Sequence, residues 1–326
     1  MKKLLLLLLC ATVIFSAAAC NKKIPAGSQA GAVDGVGTDT SEVTSSDVIS
    51  CVTDTTPPPS KEQQPVFDYW YSHMTDVQQG YYNKFLREIE SMNTEPFFIS
   101  SQDIDISANI NIVLMGVLSD HPEIFWVSGA YELLMNNYGE YYLTIEYQME
   151  KPERDSRRVS LENKVSALVE NAKGMSCFEK EVYFHDYLCQ NTVYTSENGR
   201  MCYTSYGALL EGKAVCEGYS RAMQLLCKRS GINCTLVRGT ADGVPHMWNI
   251  IELLGEWYHL DVTWDDATSQ IGYDYFNLTS DGMFKTHTAD QNLKNDRLQE
   301  TGLLKAYNYY LPLCTATYFN QDRICK

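Results

Sequence analysis

Apolar residues recur at three- and four-residue intervals along much of the chain. Tyr82, Phe85, Leu86, Ile89 and Met92 lie on one helical face, and Thr75-x-x-Gln78 ahead of them has the form of a capping box. A second helix is predicted over 108–118 from Ile110, Ile112, Val113, Leu114 and Val117, with Pro122 breaking it. Residues 124–127 read as a strand. Tyr141, Leu143, Ile145 and Tyr147 alternate with polar positions, as in a half-buried strand. Residues 64–150 therefore read as a small α+β unit, in which His73 and His121 stand isolated.

Beyond Pro152 the period turns helical again. Val159, Leu161, Val165, Leu168 and Val169 form one face, with Gly174 at its end. Ser176-x-x-Glu179 opens the next helix as a capping box, and His185-Asp186 inside it reads as helix packing rather than an acid–base pair. A long helix starts at Cys216, buries Ala222, Met223, Leu225 and Leu226, and ends at Gly231. Strands follow over 234–238, 246–253 and 256–264, the last two as a hairpin around Leu254-Gly255. A two-residue loop pairs positions whose numbers sum to 509, which makes Asp261 a diagonal neighbour of His246. A four-residue loop would set the two directly opposite; either even length puts them on one face, whereas an odd length would send them to opposite faces unless a bulge intervened.

These residue types suit nucleophilic chemistry. A thiol at a helix N-terminus lies among unpaired N–H groups at the positive end of the dipole, which favours thiolate. The same N–H groups can receive an oxyanion. His246 can take the thiol proton, and Asp261 can fix the histidine tautomer. Gly218 would let a substrate approach the backbone, Trp248 and Trp264 would wall the site, and Tyr206 is the side-chain candidate for a further oxyanion donor. His259, two residues before Asp261 on the same strand, cannot easily serve as the base.

The chain has 326 residues and a net charge of −15, which argues against nucleic-acid binding. Lys2 and Lys3 followed by an apolar run from Leu4 to Phe15 predict an export signal over 1–19. Ala17-Ala18-Ala19-Cys20 is similar to a bacterial lipobox, which implies lipidation of Cys20 and a membrane anchor outside the cytoplasm. Residues 20–63 are rich in Gly, Ser, Thr and Ala, end near Pro57-Pro58-Pro59, and predict a disordered tether. Of 11 cysteines, Cys51, Cys177, Cys189, Cys202, Cys227, Cys234, Cys314 and Cys325 remain as an even set for disulfides, Cys314 and Cys325 being close in sequence. No zinc motif and no cofactor signature is present. After Asp266, residues 275–278 predict a strand, 280–287 a short helix with His287 at the surface, and the Tyr-rich tail edge strands.

GKAVCEGYS, then HMWN, then EWYHLDVTWDD resemble the bacterial transglutaminase-like superfamily, and FHDYLCQNTVY and YFNLTSD resemble its surface-lipoprotein members. That resemblance implies an α+β, papain-like domain over 151–326, with Cys216 as nucleophile, His246 as base and Asp261 as orienting acid. It implies a peptide or protein substrate at the cell surface, with a cysteine peptidase or amidase ranked ahead of a protein cross-linking transglutaminase. A non-catalytic peptide- or glycan-binding module, and an assembly lipoprotein that docks a partner through 64–150, are the other readings.

Overall fold

A computed structural model describes residues 7–12, 61–100, 106–267, 270–290 and 311–324. In its first half, β1 (Leu7–Thr12), α1 (Tyr69–Ser72), α2 (Asp76–Ser91), β2 (Phe97–Ser100), α3 (Ile106–Asp120), β3 (Val127–Met135) and β4 (Tyr141–Tyr147) follow in order. Thr75 and Gln78 close the predicted capping box on α2. The strands form an antiparallel sheet in the order β1-β3-β4-β2. The strand expected at 124–127 begins instead at Val127. Ile124, Phe125 and Trp126 are all buried but lie before the β3–β4 ladder, whose first pair is Val127↔Tyr147.

Residues 7–12, within the predicted export signal, pair with β3 from Leu7↔Met135 to Thr12↔Ala130. The remainder of that signal, Cys20, Cys51 and most of the tether lie outside the described residues. The tether's end is ordered. Lys61 Nζ meets Glu256 Oε1 at 2.6 Å, and Gln63 Oε1 accepts from the Leu254 N–H at 3.0 Å. Among the described residues, no helix is long and apolar enough to cross a membrane.

The second half runs α4 (Lys151–Asn171), α5 (Cys177–Asn191), β5 (Val193–Tyr194), a 3₁₀ turn (Gly199–Tyr203), α6 (Ser205–Leu210), β6 (Lys213–Ala214), α7 (Cys216–Arg229), β7 (Cys234–Ala241), β8 (Val244–Leu253), β9 (Glu256–Leu260), α8 (Val262–Asp265), α9 (Ser280–Met283) and β10 (His287–Ala289). Ser176 and Glu179 cap α5 as predicted. A second antiparallel sheet has the order β10-β7-β8-β9. The β8–β9 ladder runs from Leu253↔Glu256 to Asn249↔Leu260, the register of the two-residue loop. Leu254 and Gly255 both take positive φ, 51° and 76°, as that tight turn demands.

Three expectations change. Strand β9 stops at Leu260, so Asp261 and Trp264 are not strand residues: Asp261 caps α8, with its side chain accepting from Thr263 and Trp264 N–H groups. Residues 275–278 contribute only a single bridge, His259↔Leu278. The described tail, 311–324, holds no edge strand. It packs through Phe319, whose ring stacks on Phe178 at 5.2 Å. Cys177, Cys189, Cys202, Cys216, Cys227, Cys234 and Cys314 are free thiols, and Cys325 lies outside the described residues.

Helix α7 is the centre of the molecule. Every residue from Cys216 to Cys227 is buried, so its polar side chains must find partners inside the protein. Three of them reach the C-terminus of α3. Arg221 Nη1 donates to the Leu118 carbonyl, Gln224 Nε2 to the Ser119 carbonyl at 2.7 Å, and Lys228 Nζ to the Asp120 carbonyl at 2.5 Å. Those carbonyls end a helix and have no intrahelical donor, and the two cations also face the negative pole of its dipole. On the other side, Ser220 Oγ donates to the Met247 carbonyl at 3.0 Å, and Asn249 Nδ2 donates to the Ser220 carbonyl at 3.0 Å. The buried apolar cluster runs without a break from Tyr82 and Phe85 through Leu225 and Leu226 to Tyr258 and Phe319.

Glu181 on α5 is fully buried, and burial outweighs its bond from Asn277, raising its carboxyl to about 8. The folded chain therefore holds a proton that the unfolded chain has released between about pH 4.5 and 8, and stability falls as pH rises through that window. Asp120, raised by burial to about 6, acts the same way at lower pH. Replacing Glu181→Gln should flatten the decline of unfolding free energy between pH 6 and 8 by roughly 1 kcal/mol per pH unit, read from urea melts of both proteins.

Candidate active site

Val215 precedes α7 in an extended conformation and offers no side-chain cap. The chain therefore delivers Cys216 to the helix start with no competing side chain on the first N–H groups. Cys216 sits with Leu236 and Met247 in a small buried cluster. It also lines a cleft of about 170 Å³ with Tyr203, Glu217, Arg238, His246 and Asp290. The opening thus has an apolar side under the sulfur and a charged rim.

His246 enters the cleft from β8, opposite Gly239 of β7. Its Nε2 lies 2.7 Å from Asp261 Oδ2. Asp261 is buried, and burial alone would raise its pKa. The attraction and hydrogen bonds of His246 and His287 outweigh that and hold the carboxyl well below the usual carboxylate range. The carboxylate is thus an acceptor only, and Nε2 of His246 carries the proton between them. That tautomer leaves Nδ1 as the ring atom able to take a proton from a thiol.

The two carboxylate oxygens divide their work. Oδ1 accepts the Thr263 and Trp264 N–H groups at 3.0 and 3.3 Å, and Oδ2 accepts His246 at 2.7 Å and His287 at 3.0 Å. Expected at the surface, His287 is instead 1 % exposed and opens the edge strand β10, opposite Ala241. Nothing in its sequence neighbourhood marks it, because β10 is three residues long and pairs with β7, more than forty positions earlier. Among the described residues, His246, Asp261 and His287 form the group whose ligand atoms, within 4.8 Å of one another, could hold a metal ion. Their distances are those of two N–H donors sharing one carboxylate oxygen.

The structure distributes the other predicted residues unevenly. Trp248 is buried, its ring 6.2 Å from that of His246 and nearly parallel to it. Trp264 lies 6.1 Å from His246 and 4.7 Å from His287. Both therefore back the histidines. Tyr206 does not join them: its ring packs on Phe125 at 4.9 Å and under the Arg157 guanidinium at 5.1 Å, because α6 turns that face toward α4. The tyrosine on the cleft is Tyr203.

Gly218 also differs from expectation. A Cβ there would meet the Cys202 carbonyl oxygen at 2.3 Å and Ala214 Cβ at 2.8 Å. The close approach is by the 3₁₀ turn and β6 strapped across α7, not by a ligand.

The remaining histidines of this half are structural. His259 Nδ1 accepts the Trp248 indole N–H at 3.1 Å, so its proton is on Nε2, facing Ser280 Oγ at 3.1 Å. Burial and the nearby His287 push it down to about 3, and it is neutral at pH 7. His185 bridges Asp186 at 2.9 Å and Asp265 at 3.3 Å. It ties α5 to α8 and so to the segment that Asp261 caps, which is the packing role expected of it.

A buried thiol-bearing helix against an antiparallel sheet that presents a histidine, with an aspartate capping the short helix after the last hairpin strand, defines an α+β, papain-like fold. Comparison with known proteins gives that class a family. Residues 143–262, which include Cys216, His246 and Asp261, match the transglutaminase-like superfamily, and the chain carries a domain of that superfamily. It is 24% identical over 163 residues to the mouse Kyphoscoliosis peptidase and 26% identical over 124 residues to the human protein of that name. These matches take in 43% and 32% of this chain. The chain spans about a quarter of the mouse relative and under a fifth of the human one, 24% and 18%. A solved structure titled "Crystal structure of a TGase" aligns over 41% of this chain and 43% of that one, at 19% identity and a TM-score of 0.31, a likeness too slight to bear on the site.

Because the Cys202 carbonyl is backbone, it cannot swing away from a new methyl group. Gly218→Ala should lower stability by about 1–3 kcal/mol, measured as a reduced urea midpoint.

Proposed function

We propose that this chain is a thiol-dependent acyl-transfer enzyme that attacks an amide carbonyl of a peptide or protein. Cys216 is its nucleophile, His246 its general base and Asp261 the acid that orients the base. The observation that carries this reading is the shared cleft of Cys216 and His246, with the far side of the imidazole fixed by Asp261 at 2.7 Å. In the reaction, Cys216 Sγ bonds to the carbonyl carbon while its proton passes to His246 Nδ1. The N–H groups at the start of α7 receive the developing oxyanion. Collapse breaks the C–N bond, and the amine leaves with the proton from His246. Water, deprotonated by the same nitrogen, then releases the acid and regenerates the thiol.

Hydrolysis is ranked ahead of cross-linking because the two curated relatives are named as peptidases. An amine in place of water would give transamidation from the same thioester. The lipobox-like Ala17-Ala18-Ala19-Cys20 supports display of the enzyme on a bacterial surface through lipidated Cys20, with residues 20–63 as a tether; cleavage before Cys20 removes β1, so the anchored form would have β3 at the edge of its first sheet. Residues 64–150 and 151–326 are read as its two sequence units, which share one unbroken apolar core.

Labelling with iodoacetamide in excess EDTA tests the thiol chemistry. Cys216 should react with a pH midpoint below the ordinary thiol value of about 8.5. His246→Ala should slow labelling at pH 7 by about 10²-fold or more. An unshifted midpoint together with an indifferent His246→Ala variant would exclude the reading and leave a non-catalytic binding module. Mass spectrometry of protein incubated with cell-wall peptides and a lysine analogue then separates free acid from amide product.

His287 is a positioning residue in this scheme, since it touches Asp261 and not the reacting atoms. Losing one of the four donors on the carboxylate should slow Cys216 labelling about tenfold in His287→Leu. The His287→Gln variant, which keeps an N–H donor, should recover most of that rate. A loss of thermal stability with an unchanged labelling rate would limit His287 to packing.

A further inference from the structure

Next to the Cys216 cleft lies a second cavity of about 280 Å³, and Tyr203 and Glu217 line both. Its floor is apolar, formed by Leu118, Ile124 and Val127. Its walls come from the two halves of the chain: Ser128 and Gly129 at the start of β3 on one side, and the 3₁₀ turn with the first turns of α7 on the other. The volume holds a side chain of amino-acid size, against about 30 Å³ for a liquid water. The hydrogen bonds from α7 to the end of α3 are what bring the walls together.

Charge along this double cleft contrasts with the rest of the protein. Arg200 and Arg221 line the second cavity and Arg238 the first, against Glu217, which lines both, and Asp290. Three guanidiniums thus face two carboxylates in a chain of net charge −15. Arg221 is committed within the fold, its Nε donating to Glu217 Oε1 at 2.9 Å and its Nη1 to the Leu118 carbonyl. Arg200 is different. It stands exposed at the rim, with Nη1 donating to the Ser128 carbonyl across the cavity. That bond holds the guanidinium beside Ser128 in a cavity that Leu118, Ile124 and Val127 also line.

We propose that this second cavity is the acyl-donor subsite of the enzyme, and that it takes a carboxylate-bearing side chain of the peptide whose carbonyl Cys216 attacks, with Arg200 as the recognising cation. The apolar floor receives the methylene stem of that side chain, and the guanidinium receives its carboxylate through paired N–H donors. The start of β3 is then a specificity wall, which gives residues 64–150 a place in substrate choice. This inference rests on the acyl-transfer reading of Cys216, and its test separates the two.

Binding is measured first, without chemistry, on the full chain carrying Cys216→Ser. Short acetylated peptide amides that differ only by Glu, Gln or Lys at one position, in two series with that residue one or two places from the scissile amide, are titrated by calorimetry. The Glu peptide of at least one series should bind about tenfold tighter than its Gln and Lys counterparts, and the margin should shrink with salt. Arg200→Glu should reverse the order, so that Lys is preferred. The wild-type thiol is then challenged with chloromethyl ketones of the same peptides, each rate divided by the iodoacetamide rate of the same protein. The Glu-to-Lys ratio should fall at least tenfold in Arg200→Glu. Equal binding of Glu, Gln and Lys peptides in both series, or a Glu preference that survives Arg200→Glu, would overturn the subsite. A preserved binding preference beside an unreactive Cys216 would instead overturn the acyl-transfer reading and leave the subsite standing.

Discussion

The structure depends on the burial of α7 from Cys216 to Cys227. A helix that meets protein on every side must satisfy its polar side chains against its neighbours, and each bond that does so fixes a neighbour's position. Arg221, Gln224 and Lys228 close the open carbonyls of α3. Ser220 and Asn249 lock the helix to β8, and Tyr219 ties it to Asp266 at 2.5 Å. Cys216 is the first residue of this clamped rod. The thiol thereby gains a fixed position against the sheet and a place at the positive end of the helix dipole.

Asp261 is the second point of convergence. As the cap of α8 it ends strand β9, and as the acceptor of two imidazoles it holds His246 and His287. One carboxylate thus sets the end of an element, the tautomer of the cleft histidine and the place of the β10 edge strand. The imidazoles and backbone N–H groups around it outweigh the cost of burying its charge, so it stays an acceptor across the pH range in which a thiol and an imidazole exchange protons. The buried His185–Asp265 bridge secures the helix that Asp261 begins.

Much of this was readable from local rules. The capping boxes at Thr75 and Ser176, the helix opening at Cys216 and the even-length turn of the hairpin all follow from short-range geometry, while the choice between the two hairpin registers was decided by the structure. Where reading failed, the deciding contact was distant in sequence. His287 looked like a surface residue because its strand partner, Ala241, is far away in the chain. Tyr206 was one helical turn from the cleft in sequence but faces Phe125 in space. Gly218 was read as room for a substrate because the Cys202 carbonyl that needs the space comes from a separate segment. The tail kept a strand-like composition yet packs as irregular chain on Phe178.

By itself, then, the sequence determined the main helices, their caps and the even-length turn between β8 and β9, because periodicity, caps and a tight turn act within a few positions. Only the tertiary structure decided that Asp261 serves two histidines, that Arg200 reaches over to the Ser128 carbonyl, and that the start of β3 walls a cavity beside Cys216. Those relations join segments tens of residues apart, and they arise from the packing of a helix buried from Cys216 to Cys227.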